Sequence, residues 1–184
     1  MRHCLLATSF VLLVGAGAFA QTQTRLFEPE VGQGGKDVVW VPTPPALVEK
    51  MLDMARVTRD DLVMDLGSGD GRNIIAAAKR GARAIGVEYN PDMVALSTRL
   101  AAAAGVADRA SFVEGDMFTA DISKATVMAL FLLPANLEKL RETFLALAPG
   151  TRLVMNTFDI PDWVSDAKET LGEGCVSWCT AHLY

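Results

Sequence analysis

The sequence predicts an α/β protein built on a doubly wound, mostly parallel sheet. Three observations carry this. From residue 45 onward, short apolar segments alternate with segments of helical periodicity. A glycine-rich turn, Met64-Asp65-Leu66-Gly67-Ser68-Gly69-Asp70-Gly71-Arg72, joins the first of these apolar segments to the helix behind it. A continuous apolar run from Ala125 to Leu133 suits a strand covered on both faces.

Val38 to Pro45 is stiff and extended, because Pro42, Pro44 and Pro45 fix their own φ and restrict the residue before them. A helix should follow from Pro45 to Arg56, with Leu47, Met51 and Met54 or Ala55 on one face. Leu62 to Leu66 is a strand, and Arg72 to Arg80 a helix closed by Gly81. Ala84 to Glu88 is the second strand. Asn90 caps the next helix, with Pro91 and Asp92 in its first turn, and the alanines carry it to Gly105. Ala110 to Glu114 is a third strand and Ala125 to Leu133 a fourth. Leu137 to Leu147 is a helix, with Asn136 as its cap, and Arg152 to Phe158 a fifth strand. Crossovers between parallel strands should be right-handed. After Trp163 the pattern thins. Cys175 to Tyr184 has the character of another strand, in which the sequence stops.

With 184 residues and a net charge of −5, the chain suits one domain with a real core. The acidic balance and the lack of a basic cluster argue against a nucleic-acid partner. His3 and His182 are the only histidines, which disfavours a His-based triad or a multi-histidine metal site. Cys4, Cys175 and Cys179 form no paired CxxC motif, so no metal is expected. In a regular strand, Cys175 and Cys179 would stand roughly 13 Å apart. A disulfide needs a Cα separation of about 4.4–6.8 Å, so buried free thiols are expected.

Residues 1–20 read as a signal peptide or N-terminal anchor. Arg2 and His3 precede the apolar run Leu5 to Ala16, and Ala18-Phe19-Ala20 is a cleavage-type sequence. The run is short for a membrane span, which takes about 20 apolar residues. Export is the first expectation and a membrane anchor the second, with transient membrane contact through the leader. A misassigned start would leave the chain cytosolic. Residues 21–37 read as a linker and 38–184 as the functional domain.

The candidate ligand site lies at the carboxyl ends of three successive strands, where open parallel sheets bind ligands. Gly67, Ser68, Gly69, Asp70 and Gly71 form the loop that aims backbone N–H groups and a helix N-terminus at the ligand. The spacing is GxGxG, not the GxGxxG of dinucleotide sites. Asp65, at the strand end, suits a cationic ligand better than a pyrophosphate. Glu88 can accept both hydroxyls of a ribose. Asp116 can accept the amino hydrogens of an adenine, with Met117 against the ring.

DLGSGDGR, GVEYN and EGDMF together resemble the class I methyltransferases. VWVPTPPALVEKML, ATVMALFLLPANLEKL and PGTRLVMNTFDIPDW resemble a small subgroup of them. That subgroup is related to the mitochondrial protein-lysine methyltransferases of the ADP/ATP carrier and the ATP synthase c-subunit. The resemblance spans roughly residues 37 to 184, by motif order along the parallel-sheet reading. It implies a Rossmann-like sheet of order 3-2-1-4-5-7-6, S-adenosylmethionine as cofactor and an acceptor such as protein lysine. Asp65 would then meet the ammonium of the cofactor. Similar proteins continue past a segment like SWCTAHLY, so the last hairpin is expected to be incomplete and the domain truncated at its C-terminus. The fourth-strand exit, Phe131-Leu132-Leu133-Pro134-Ala135-Asn136, lacks the Asn/Asp-Pro-Pro-aromatic motif of enzymes acting on adenine or glutamine. Its apolar rim suits a lysine stem or a hydrophobic small molecule. Trp40, Pro42 and Thr43 should help close the site. No residue is assigned as general base. The rival readings are a nicotinamide-dependent oxidoreductase, against which the loop spacing and the missing Tyr/Lys pattern count, and an exported domain without turnover.

Overall fold

Leu62–Leu66 (β1) runs through the centre of a seven-stranded sheet in the computed structural model, which describes residues 26–172 and 175–184. The leader lies outside the described residues. Around β1 the chain lays down α1 (Pro45–Met54), α2 (Arg72–Lys79), β2 (Arg83–Glu88), α3 (Pro91–Ala103), β3 (Ala110–Glu114) and β4 (Val127–Leu130). It continues with α4 (Pro134–Leu145), β5 (Arg152–Asn156), β6 (Ala167–Thr170) and β7 (Thr180–Leu183). The sheet order is β3-β2-β1-β4-β5-β7-β6. β1 to β5 are parallel, and β7 pairs antiparallel with both β5 and β6.

Alternation along the strands sorts the core into two layers. Val63, Ala84, Val127, Ala129 and Val154 face α1 and α2, burying Leu47, Met51, Leu52, Ile74 and Ala78. Small and β-branched strand residues let those helices sit close to the sheet. Met64, Leu66, Met128, Leu130, Leu153 and Met155 face the other way, against Leu137, Leu140 and Phe144 of α4. Polar ties fix the register at the amino ends of the strands. Asp61 accepts from Thr58 N–H at 2.8 Å and Thr126 Oγ1 at 2.7 Å, and pairs with Arg152.

Three expectations need correction. The last hairpin is formed: β6 and β7 pair over four residues each, and the Tyr184 backbone exchanges hydrogen bonds of 2.9 Å with Leu153. Its first strand has no apolar alternation, because all of Ala167–Thr170 are exposed. Cys175 and Cys179 are joined in a disulfide with a Cα separation of 5.9 Å. They lie in a turn ahead of β7, where Trp178 has a φ of +58°, so the spacing of an extended strand does not apply. Asn136 is not a cap. α4 starts earlier, with Pro134 at a first-turn position that needs no N–H, and Asn136 sits buried inside that turn.

Candidate active site

The loop after β1 is folded back on β2. The N–H groups of Gly67 and Ser68 both donate to Val87 O, at 2.8 and 3.0 Å. Gly71 closes the loop as the N-cap of α2 with a φ of +79°. A Cβ there would lie 2.5 Å from the Phe112 ring and 2.8 Å from Ser97 Cβ. Gly69, with a φ of +55°, leaves room for the Trp40 indole, whose Nε1 would stand 2.8 Å from an added Cβ. Both positions therefore require glycine for conformation and for space.

Asp65 is 3% exposed at the floor of the crevice. Its Oδ2 accepts from Asn73 Nδ2 at 3.0 Å, and that amide also donates to Ala129 O at 3.1 Å. Asp65 Oδ1, Ser68 Oγ and Asn73 Oδ1 are buried without a partner. Burial pushes the Asp65 carboxyl well above the usual carboxylate range; the Asn73 bond opposes this, and nearby Glu88 and Asp70 add to it. Such orphaned acceptors fit a ligand that brings N–H donors and positive charge.

Glu88 is held by its neighbours' backbone. Gly69 N–H donates to Oε2 and Asn90 N–H to Oε1, each at 2.9 Å. Each carboxylate oxygen keeps further acceptor capacity for a diol. Asp116 receives Phe118 N–H at 2.9 Å and the Lys36 ammonium at 2.7 Å, and the ammonium holds its carboxyl below the usual range. Met117 is buried, with its methyl group facing Gly67. Asp116, Met117, Glu88 and Tyr89 line a small recess roofed by Gly35–Val38. Asp70 also lines the crevice and pairs with Arg72, at 2.9 and 2.5 Å.

A larger cavity of about 970 Å³, including its open mouth, joins Asp65 and the glycine loop to the carboxyl ends of β4 and β5. Trp40, Pro42 and Thr43 line it, as expected. Arg72 Nη1 donates to Thr43 O at 2.7 Å, and Asn156 Nδ2 to Thr43 Oγ1 at 3.1 Å. Part of the segment read as linker also belongs here. Gly32 N–H donates to Trp40 O and Trp40 N–H to Gln33 O, both at 2.9 Å, folding residues 32–40 into a loop over the crevice. On the far side stand Phe131, Leu132, Leu133, Phe158 and Trp178. Trp178 is a site residue that sequence reasoning missed; a tryptophan between two close cysteines was the signal. Among the described residues no cluster of His, Cys, Asp or Glu could hold a metal.

The sheet order, the glycine loop and the acids at the strand ends define a class I S-adenosylmethionine-dependent methyltransferase. A family model described as the ANTKMT methyltransferase domain matches residues 65–167. The chain is 45% identical over 129 residues to a protein-lysine N-methyltransferase of Saccharolobus islandicus, covering 68% of this chain and 80% of that protein. It is 38% identical over 136 residues to the lysine N-methyltransferase of the ATP synthase c-subunit from Mus musculus, covering 73% of this chain and 54% of that one. It thus spans about half the length of the mouse enzyme. Among solved structures, an RNA methyltransferase from Salinibacter ruber in complex with S-adenosyl-L-homocysteine is 45% identical, with a TM-score of 0.73. That match covers 78% of this chain and 92% of the other. The chain belongs to the ANTKMT methyltransferase family. This sets aside the nicotinamide reading and the reading without turnover.

Proposed function

We propose that the protein methylates the side-chain nitrogen of lysine in a protein substrate. The observation that carries this is the 45% identity to a protein-lysine N-methyltransferase over 80% of its length. The acceptor side of the cavity supports it: Leu133 is exposed at its rim, over the buried Leu132, and gives an apolar surface that suits the lysine stem.

When bound, S-adenosylmethionine supplies a methyl group made electrophilic by its sulfonium. The residues around it then have distinct tasks. Asp65 Oδ1 would accept from the ammonium of the cofactor, and Glu88 would hold the ribose hydroxyls. Asp116 and Met117 would take the adenine, with Lys36 sharing the Asp116 carboxylate. Trp40 to Thr43 close over the crevice and exclude water, so that donor and amine meet in line. A free lysine has a pKa of about 10.4. The lysine enters as an ammonium and gives one proton to water, a loss that desolvation against Leu133 favours. A C–N bond would then form as the C–S bond of the cofactor breaks, leaving neutral S-adenosylhomocysteine. Methyl label transferred from the cofactor into cell extract should be recovered as methylated lysine. Label confined to RNA or to a small molecule would overturn the reading. The net charge of −5 favours protein over RNA.

For location, we propose export through residues 1–20, with the leader contacting the membrane on the way. The Cys175–Cys179 disulfide supports this, because disulfides persist in oxidising compartments. None of the described helices is long and apolar enough to cross a membrane. Protease-protected fractionation tests it: a mature chain found only in the cytosol, with both thiols free, contradicts export.

A further inference from the structure

We propose that Phe131, Phe158 and Trp178 form an aromatic wall that recognises the acceptor as an alkylammonium, and that the Cys175–Cys179 disulfide positions Trp178 in it. This deepens the lysine reading and rests on it. Phe131 follows β4, Phe158 follows β5, and Trp178 sits on the turn before β7. Antiparallel pairing of β5 and β7 brings that turn to the carboxyl edge of the parallel strands. The ring centroids of Trp178 lie 5.6 Å from both Phe131 and Phe158, and those two rings are 6.1 Å apart. All three rings line the same cavity as Asp65 and the glycine loop.

Phe158 packs against the core layer of α4, but core packing does not account for the other two rings. Neither Phe131 nor Trp178 belongs to either buried layer, and Trp178 is 38% exposed. Ring faces attract cations, and they need no N–H donor from the ligand, so an amine already carrying methyl groups still fits. The surrounding charge agrees. Among the residues lining the cavity, Asp65, Asp70 and Glu88 stand against the single cation Arg72, which is itself paired with Asp70 and Thr43 O. A stacked nucleobase would instead require cations for its phosphates.

Trp178 is held in a conformation that non-glycine residues rarely adopt, with a φ of +58°. The cross-link between residues 175 and 179 closes the turn around it and limits its alternatives. Trp178 and the Phe rings touch the acceptor; the two cysteines act through Trp178.

Calorimetry on the full chain saturated with S-adenosylhomocysteine tests this. The probes are Nα-acetyl-trimethyllysine amide and its neutral isostere, with carbon in place of the ammonium nitrogen. The wild type should bind the cation about tenfold more tightly than the isostere. Trp178→Ala and Phe158→Leu should each lose most of that preference, and Trp178→Phe should restore part of it. The double variant Cys175→Ser/Cys179→Ser should weaken it while S-adenosylhomocysteine affinity stays within about twofold of wild type, as it should for every variant. Equal binding of the two probes by wild type overturns the proposal, as does an unchanged preference in Trp178→Ala with cofactor affinity intact. An oligouridylate that displaces the cation, and is itself bound through Trp178, also overturns it. Label recovered on lysine without any cation preference sinks this inference alone. Cation preference with label recovered elsewhere sinks the lysine reading and, with it, the assignment of the wall to the acceptor.

Discussion

At Asp65, burial makes the carboxylate costly unless a cation stands beside it. Its folded pKa is raised, so the unliganded protein keeps a proton where a free aspartate has lost it. An ammonium beside it favours the charged form. Cofactor binding should therefore release a proton from about pH 4 up to the raised value, with affinity climbing through that window. Calorimetry of S-adenosylhomocysteine in buffers of different ionisation enthalpy reads the release; its persistence in Asp65→Asn would contradict the assignment. That variant should bind roughly 10–100-fold more weakly, the usual cost of losing a charge-assisted hydrogen bond. Gly69→Val is expected to abolish binding, because its side chain meets Trp40 at a φ of +55°. Wild-type affinity in this variant would refute the placement of the loop.

Elements position these residues through a few long-range ties. Arg72, on the first residue of α2, links the glycine loop to the extended Val41–Thr43 segment through Asp70 and Thr43 O. Arg72→Ala should release that segment while leaving the sheet intact. The expected readout is faster amide exchange over residues 38–43, consistent with losing hydrogen bonds worth about 1.5–3 kcal/mol. Unchanged exchange there would show that Asn156 and the prolines suffice. The strands at Leu62–Leu66 and Ala110–Glu114 were legible in the sequence to the residue, as was the Asn90 cap, whose Oδ1 accepts Asp92 N–H at 2.9 Å. The 32–40 loop was not. It contributes mostly backbone hydrogen bonds, which leave no mark on side-chain periodicity. Strand β6 escaped for a related reason: it is exposed throughout and is defined by its pairing with β7.

For the whole molecule, pH acts through His182 in β7, which is 1% exposed. Burial lowers its pKa; Asp159, 2.6 Å away, opposes this, and Lys168 adds to it. A histidine with a depressed folded pKa is neutral in the fold and takes up its proton more readily when unfolded. Its contribution to stability is thus full above about pH 6.5 and is lost as pH falls below that value. Asp65 slopes the opposite way, since its folded pKa is raised. The comparison that isolates His182 is therefore wild type against His182→Gln. The thermal midpoint of wild type should fall more steeply than that of the variant on acidification from pH 7 to about 5. Parallel curves would assign the slope to other groups.

The class of fold, the glycine loop and the acids at the strand ends were legible in local patterns: apolar periodicity, glycines that free the backbone, and carboxylates placed at strand ends. Only the tertiary structure decided which groups share the site. It set Lys36 on Asp116, tied Thr43 to Arg72 and Asn156, and brought Trp178 against Phe131 and Phe158. It also joined Cys175 to Cys179, because the chain turns there where local spacing assumed it ran straight. These contacts depend on the sheet order, which places chain segments far apart in sequence along one edge.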